Sequence, residues 1–238
     1  MKSFLMIGQS NMAGRGDFGE VPEIQNRLCK MLRNGRWQPM GEPINPDRRV
    51  FGEFHSGVGL AASFADEYAK HFEASGEKIG LIPCAEGGTR IAEWQPGEIL
   101  YDHAVMQAKL AQRSSEIVGI LWHQGESDSD TEENASLYRE RFLTMLTSLI
   151  QDLSLPSNIP VVIGELGDFV GSYEGMALPY YEEINRTLHT LAEDFDNIAI
   201  ASAEGLTCRE DGIHFNSASY RTLGIRYFDA YLSIVEQK

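Results

Sequence analysis

Four short motifs contain the side chains of this sequence that could do chemistry. Ser10 lies in the segment GQSNM near the amino terminus, and Asp211 and His214 share the segment DGIHF near the carboxyl terminus. A hydroxyl nucleophile, an imidazole base and a carboxylate that orients the base are the groups that nucleophilic acyl transfer requires. The Asp-x-x-His spacing lets the carboxylate fold back onto Nδ1 of the imidazole while Nε2 faces outward. These three residues are therefore candidates for a catalytic triad.

The other two motifs offer hydrogen-bond donors for the oxyanion that acyl transfer forms. Gly87 and Gly88 permit close approach of the backbone to a substrate, and one of their amides could donate to the oxyanion. Gln124, in the segment WHQGES, has a side-chain amide that can do the same. Glu126, two residues later, is a carboxylate that could brace the site or orient His214.

Each of these residues also has an ordinary structural explanation. A serine at the end of a strand is most often the N-cap of a helix, and paired glycines often form a tight turn. A polar residue such as Gln124 after a buried strand could equally be a loop residue. The catalytic interpretation therefore depends on whether the elements of the fold bring the four motifs to one place.

Five short apolar runs, rich in Ile, Val and Leu, predict strands of the kind that parallel sheets bury on both faces. Apolar stripes between them predict amphipathic helices, and the alternation implies right-handed βαβ units. The predicted strands are SFLMIG (3–8), KIGLIPCA (78–85), IVGILWHQ (117–124), IPVVIGEL (159–166) and NIAIASA (197–203). The predicted helices lie in 60–72, 99–110, 131–153 and 178–191, and a last one begins at 217.

Ligands of an open α/β sheet bind at the carboxyl ends of its strands. Three of the motifs directly follow the first three predicted strands, and DGIHF follows the fifth strand and a loop. All four should therefore meet at one edge of the sheet. We expect one domain over residues 1–238, with a long loop and hairpin excursion at about 15–56, in which Asn34-Gly35 predicts a type I′ turn. Such a loop often builds a binding wall.

The composition excludes several classes of protein. The net charge of −15 argues against binding nucleic acid or an anionic membrane through a basic surface. The three cysteines, Cys29, Cys84 and Cys208, have neither disulfide-framework nor zinc-site spacing. No apolar run is long enough to span a membrane. The start MKSFLMI is too short for a signal peptide, so we expect a cytoplasmic protein, unless a signal peptide has been removed.

The segments GQSNM, GGT, WHQGES and DGIHF, in this order, resemble the sequence blocks of the SGNH-type carbohydrate acetylesterases. That group includes sialic-acid O-acetylesterase-like proteins and bacterial acetylxylan esterases. The resemblance implies a flavodoxin-like three-layer α/β/α sandwich with a central, mainly five-stranded parallel sheet. It also implies a serine esterase that uses no metal or cofactor. Such an enzyme removes O-acetyl groups from acetylated sialic acid or a xylan-type sugar through an acyl-enzyme intermediate.

The same resemblance implies a role for most motif residues. Ser10 matches the nucleophile, and His214 matches the general base. Gly88 matches the glycine whose amide joins that of Ser10 in the oxyanion hole. Gln124 stands where the wider superfamily usually has an asparagine, and we expect its side chain to complete the hole.

The carboxylate that orients His214 has two candidates. Asp211 matches the common position and lies on the same turn, so little chain entropy opposes the pairing. Glu126 is the glutamate of the HQGE segment, which takes this role in some of these esterases. We favour Asp211, with Glu126 as the alternative.

Substrate contacts are expected from residues that flank the motifs. The candidates are Gln9, Asn11, Arg90 and Trp94, with Trp37 as a second tryptophan that could stack on a sugar ring. Arg90 could bind a carboxylate and so favour an acetylated sialic acid over neutral xylan. Either tryptophan could instead be a core residue. Two other functions stay open, a hydrolase of other small acyl esters and a carbohydrate-binding protein without catalysis.

Overall fold

Strands and helices alternate along the chain in a computed structural model that describes residues 1–46 and 55–236. The strands are β1 (Lys2–Gly8), β2 (Cys29–Arg33), β3 (Arg36–Pro39), β4 (Ile79–Pro83), β5 (Glu116–His123), β6 (Val161–Gly164) and β7 (Ile198–Ala201). The helices are α1 (Ser10–Ala13), α2 (Leu60–His71), α3 (Ile99–Ala111), α4 (Glu132–Asp152), α5 (Tyr181–Asp194) and α6 (Ser217–Val235). The predicted strands and helices are confirmed, the strands to within two residues at either end.

One sheet contains all these strands, in the order β3-β2-β4-β1-β5-β6-β7. Every neighbouring pair is parallel except β2 and β3, which form the predicted hairpin. Asn34 and Gly35 close it with φ angles of 51° and 72°, and a type I′ turn requires positive φ at both positions. Residues 47–54 of the predicted excursion lie outside the described part of the chain.

The hairpin extends the sheet from the expected five strands to seven. β2 pairs in parallel with β4, and Cys29 lies opposite Ile79. Met31 and Leu32 are buried in the cores on opposite faces of the sheet, as the alternation of side chains along a strand requires. A strand with apolar side chains on both faces is stabilised by the two helix layers. The sequence predicted the hairpin but not its place in the sheet.

Helices cover both faces of the sheet. In the central strand β1, Phe4 and Met6 point into one core, beneath α2 and α6, and Leu5 and Ile7 point into the other, beneath α3, α4 and α5. This is the expected three-layer α/β/α sandwich. Within residues 1–46 and 55–236, no helix combines the length and the apolar character needed to cross a membrane.

The segments that follow β4, β1 and β5 are held together at one edge of the sheet. The amide of Gln9 donates to the carbonyl of His123, and the amide of Glu86 donates to the carbonyl of Gly8, both at 2.9 Å. Gly8 has a φ of 134°, and a Cβ at this position would lie 2.1 Å from the carbonyl oxygen of His123. Only glycine allows the backbone at position 8 to lie this close to His123. The contacts place three of the motifs side by side.

Candidate active site

Ser10 begins the short helix α1, two residues after the last residue of β1. The residue is 7% exposed and lines a cavity of about 500 Å³. Because Ser10 is the first helical residue, its amide has no partner within the helix. No described group accepts a hydrogen bond from this amide. The amide is thus available beside the hydroxyl.

Ser10, His214 and Asp211 form a chain of hydrogen bonds. Nε2 of His214 lies 2.9 Å from Oγ of Ser10, and Nδ1 lies 2.9 Å from Oδ2 of Asp211. Oδ1 of Asp211 accepts from the amides of Ile213 and His214 at 3.1 and 3.0 Å. Partial burial by itself raises the pKa of Asp211, but the hydrogen bonds from the ring and backbone of His214 outweigh it and hold the pKa below its usual range. The carboxylate therefore stays ionised at neutral pH.

Gly87 and Gly88 form the wall of the cavity next to Ser10. A Cβ on Gly87 would lie 2.7 Å from Nη2 of Arg15 and 3.6 Å from Cβ of Ser10, so a larger residue would push into the guanidinium group. Gly88 is exposed with a φ of 72°. Its amide, like that of Ser10, donates to no other described group. The cavity is therefore lined by two residues, Ser10 and Gly88, whose backbone N–H groups have no described acceptor.

Gln124 does not take the position expected of an oxyanion donor. Its side chain is fully buried behind the cavity wall. Nε2 lies 3.0 Å from the carbonyl oxygen of Thr89 and 2.5 Å from Oδ2 of Asp128. Oδ2 of Asp128 in turn accepts from the amide of Ile91 at 2.8 Å. The pair therefore anchors both ends of the segment 89–91, directly after Gly88, and the expectation of direct contact is corrected.

Glu126 is buried near the site without contacting His214. Its Oε1 accepts from Nδ2 of Asn11 at 2.5 Å and lies 3.9 Å from Nε2 of His123. Burial raises the pKa of Glu126, a shift that the hydrogen bond from Asn11 opposes. Of the two candidate carboxylates, only Asp211 is within hydrogen-bond distance of the His214 ring.

Asn11 and Gln9 were expected to contact substrate, and both are buried. Nδ2 of Asn11 donates to the carbonyl of Ile213 at 3.2 Å, and Oδ1 accepts from the hydroxyl of Tyr220 at 2.6 Å and the amide of Phe215 at 3.3 Å. Asn11 therefore holds the backbone on either side of His214 and does not line the cavity. Gln9 does reach the cavity wall, but its Oε1 accepts from Nε2 of Gln124 at 3.2 Å.

Arg90 and the two tryptophans are also corrected. Arg90 lies outside the cavity in an ion pair of 2.5 Å with Asp130. Trp94 is 1% exposed, so it cannot stack on a sugar, and its Nε1 donates to Oγ1 of Thr89 at 3.1 Å. Trp37 packs on the sheet, where a Cβ on Gly80 would lie 2.6 Å from its ring. Arg90 and Trp37 are held by partners that are distant in sequence, whereas Trp94 bonds within its own loop.

The remaining walls come from residues that the sequence analysis did not single out. Asn45 exchanges two hydrogen bonds of 3.1 Å with the backbone of Ala85 and ties the long excursion to the segment after β4. Arg15, Tyr173 and Met176 also line the cavity. The only sequence signal for Arg15 was its position five residues after Ser10, on the strand end that carries the first motif.

The mainly parallel sheet thus brings a serine that follows β1 within hydrogen-bond distance of an Asp-x-x-His turn that precedes the last helix. The model of the family "Carbohydrate esterase, sialic acid-specific acetylesterase" matches residues 1–233. The chain belongs to this family of carbohydrate esterases.

Individual relatives agree with this assignment. The probable carbohydrate esterase At4g34215 of Arabidopsis thaliana is 30% identical over 246 residues, which cover 97% of this chain and 90% of that protein. The X-ray structure of AT4G34215 covers 98% of both chains with a TM-score of 0.86 at 29% identity. The crystal structure of NanS shares the fold, with a TM-score of 0.79 at 16% identity over 100% of this chain and 98% of that one.

Proposed function

We propose that this protein is a serine esterase that removes O-acetyl groups from a carbohydrate through an acetyl-enzyme intermediate. The observation that carries the proposal is the hydrogen-bond chain from Asp211 through His214 to Ser10, which ends in a cavity beside two available amides. Nucleophile, base, orienting acid and oxyanion donors are the complete set for acyl transfer. Membership of a carbohydrate esterase family supports the sugar ester as substrate.

In the first half-reaction, Oγ of Ser10 attacks the acetyl carbonyl carbon while Nε2 of His214 takes the hydroxyl proton. The carbonyl oxygen becomes an oxyanion, which the amides of Ser10 and Gly88 stabilise. The bond from the carbonyl carbon to the sugar oxygen then breaks. His214 gives its proton to that oxygen, and the deacetylated sugar leaves an acetyl group on Ser10.

In the second half-reaction, a water molecule attacks the acetyl carbon and gives a proton to Nε2 of His214. A second oxyanion forms against the same two amides and collapses with loss of Oγ of Ser10, which takes the proton back from His214. Acetate leaves and the free enzyme is restored. Asp211 keeps the proton of the ring on Nδ1 throughout and stabilises the imidazolium.

The direct test is Ser10→Ala, assayed by acetate release from O-acetylated sialic acid, acetylated xylo-oligosaccharides and acetylated glucose. We expect loss of activity with an unchanged melting temperature, because only a hydroxyl is removed. Ser233→Ala is the matched control, since its hydroxyl only donates to the carbonyl of Ala230 in α6. Normal turnover by Ser10→Ala would refute the proposal. Faster cleavage of octanoate than of acetate p-nitrophenyl esters would instead favour a hydrolase of longer acyl chains.

A further inference from the structure

A second cavity, of about 370 Å³, adjoins the catalytic one. The two cavities share four lining residues, Arg15, Ser56, Asp211 and His214. The triad histidine and its aspartate therefore form part of the walls of both. Neither Ser10 nor Gly88 lines the second cavity, so this cavity adjoins the His214 and Asp211 side of the site and not the two oxyanion amides.

Phe18 gives this second cavity an exposed aromatic side chain. It is 61% exposed, in the loop that follows β1 and α1. The other large apolar residues that are exposed among the described ones are Met176, at the catalytic cavity, and Ile99, Met106 and Ile225, on helices α3 and α6. An exposed aromatic ring beside a polar cavity is typical of a ligand groove.

The charged residues that line the second cavity balance one another. Arg209 donates to Oδ1 of Asp17 at 3.1 Å and also to the carbonyl of Arg15. Asp211 is bound to His214. Two arginines and two aspartates, partly neutralised in this way, give no excess of either sign. The lining thus suits an uncharged ligand that has hydroxyl groups and an apolar face.

The chemistry of the leaving group indicates on which side of Ser10 the sugar lies. His214 must protonate the sugar oxygen when the ester bond breaks, so the sugar lies on the His214 side of Ser10. A sugar chain that continues from the acetylated residue on that side reaches the second cavity. A single acetylated sugar leaves this cavity unfilled.

We propose that the second cavity binds a neighbouring sugar residue of a neutral acetylated oligosaccharide, with its apolar face on Phe18. The proposal rests on the function proposed above and adds to it the length and charge of the substrate. It assigns to Phe18 the role of a specificity-determining residue.

The test compares kcat/KM for mono-O-acetylated xylotriose and mono-O-acetylated xylose. We expect wild-type protein to prefer the trisaccharide, and Phe18→Ala to reduce the ratio of the two constants about 3- to 10-fold, through KM. This range corresponds to the loss of one aromatic stacking contact. Phe18→Tyr should restore the ratio. Ile99→Ala, which removes an exposed apolar side chain from α3, is the control and should leave the ratio unchanged.

Binding of unacetylated xylotriose, cellotriose and disialic acid, measured by calorimetry, tests the cavity without catalysis. If a neutral trisaccharide binds and Phe18→Ala weakens that binding, the proposal is supported even if no acetyl ester is cleaved. Failure to cleave any acetyl ester would overturn only the esterase function. Three results would each overturn the proposal: equal losses by Phe18→Ala on both xylose esters, no preference for the trisaccharide, or binding of disialic acid alone. In each case, acetate release from the monosaccharide would still support the esterase function.

Discussion

The variant Asp211→Asn tests which carboxylate serves His214. In the wild type, Oδ2 of Asp211 faces Nδ1 of the ring, and Oδ1 accepts from the two backbone amides of Ile213 and His214. An asparagine keeps an oxygen for these amides but presents its NH₂ group to Nδ1. Nδ1 must then accept a hydrogen bond, so the ring proton moves to Nε2. A protonated Nε2 cannot take the proton of Ser10.

We expect Asp211→Asn to lower kcat for p-nitrophenyl acetate by about 10⁴-fold, the loss that the wrong tautomer causes in serine triads. This corresponds to about 5.4 kcal/mol of lost transition-state stabilisation. The two hydrogen bonds from backbone amides persist and the one to Nδ1 only reverses its direction, so the melting temperature should change little. Release of p-nitrophenolate measures kcat, and circular dichroism measures unfolding.

Glu126→Gln is the matched control. A glutamine keeps the oxygen that accepts from Nδ2 of Asn11, and burial already disfavours the charged form of Glu126 by raising its pKa. We therefore expect kcat to fall less than about 10-fold, since the side chain touches neither His214 nor substrate. A collapse of the Glu126 variant alone would refute the reasoning. A collapse of both would mean that the two carboxylates support His214 together.

Gln124→Ala should lower kcat for p-nitrophenyl acetate about 10- to 100-fold, less than the loss of an oxyanion donor itself. It should also lower the melting temperature, because Thr89 and Asp128 lose a buried donor; a 10³-fold loss with normal melting would instead indicate contact with the oxyanion. Burial raises the pKa of Asp128 from 3.8 to about 6, so the folded state binds more protons than the unfolded state within this window, and stability falls as pH rises through it. Asp128→Asn should remove this part of the slope in melting curves recorded at successive pH values, and an unchanged slope would contradict the assignment. Incubation with EDTA should leave esterase activity unchanged, because the proposed steps use only groups of the chain and a water molecule; a loss that zinc restores would refute this.

Local spacing and strand order were enough to predict much of the molecule. The distance between Asp211 and His214 along the chain places one carboxylate at the ring with little entropic cost, and the structure has them 2.9 Å apart. Short apolar runs predicted the parallel strands, and motifs at their carboxyl ends had to share one edge of the sheet. That rule places Ser10 and His214 at the same edge, where the structure has them in hydrogen-bond contact.

Tertiary packing decided which polar side chains face the cavity. Gln124 and Asn11 have the residue types of a donor to substrate, yet both direct their amides at backbone carbonyls, of Thr89 and Ile213. Trp94 follows the glycine loop as a sugar-stacking residue would, but it packs edge-on against Trp122 with 5.7 Å between the rings. A motif sets the type and position of a residue along the chain, but partners from distant segments set the direction of the side chain.

The second cavity shows the same dependence. Phe18, His55 and Arg209 line it together, although the sequence separates them widely. The sequence by itself determined five of the seven strands, their order along the chain and the chemistry available at one edge of the sheet. Only the tertiary structure decided which of these groups reach the cavity, because close packing satisfies buried polar groups wherever partners are nearest.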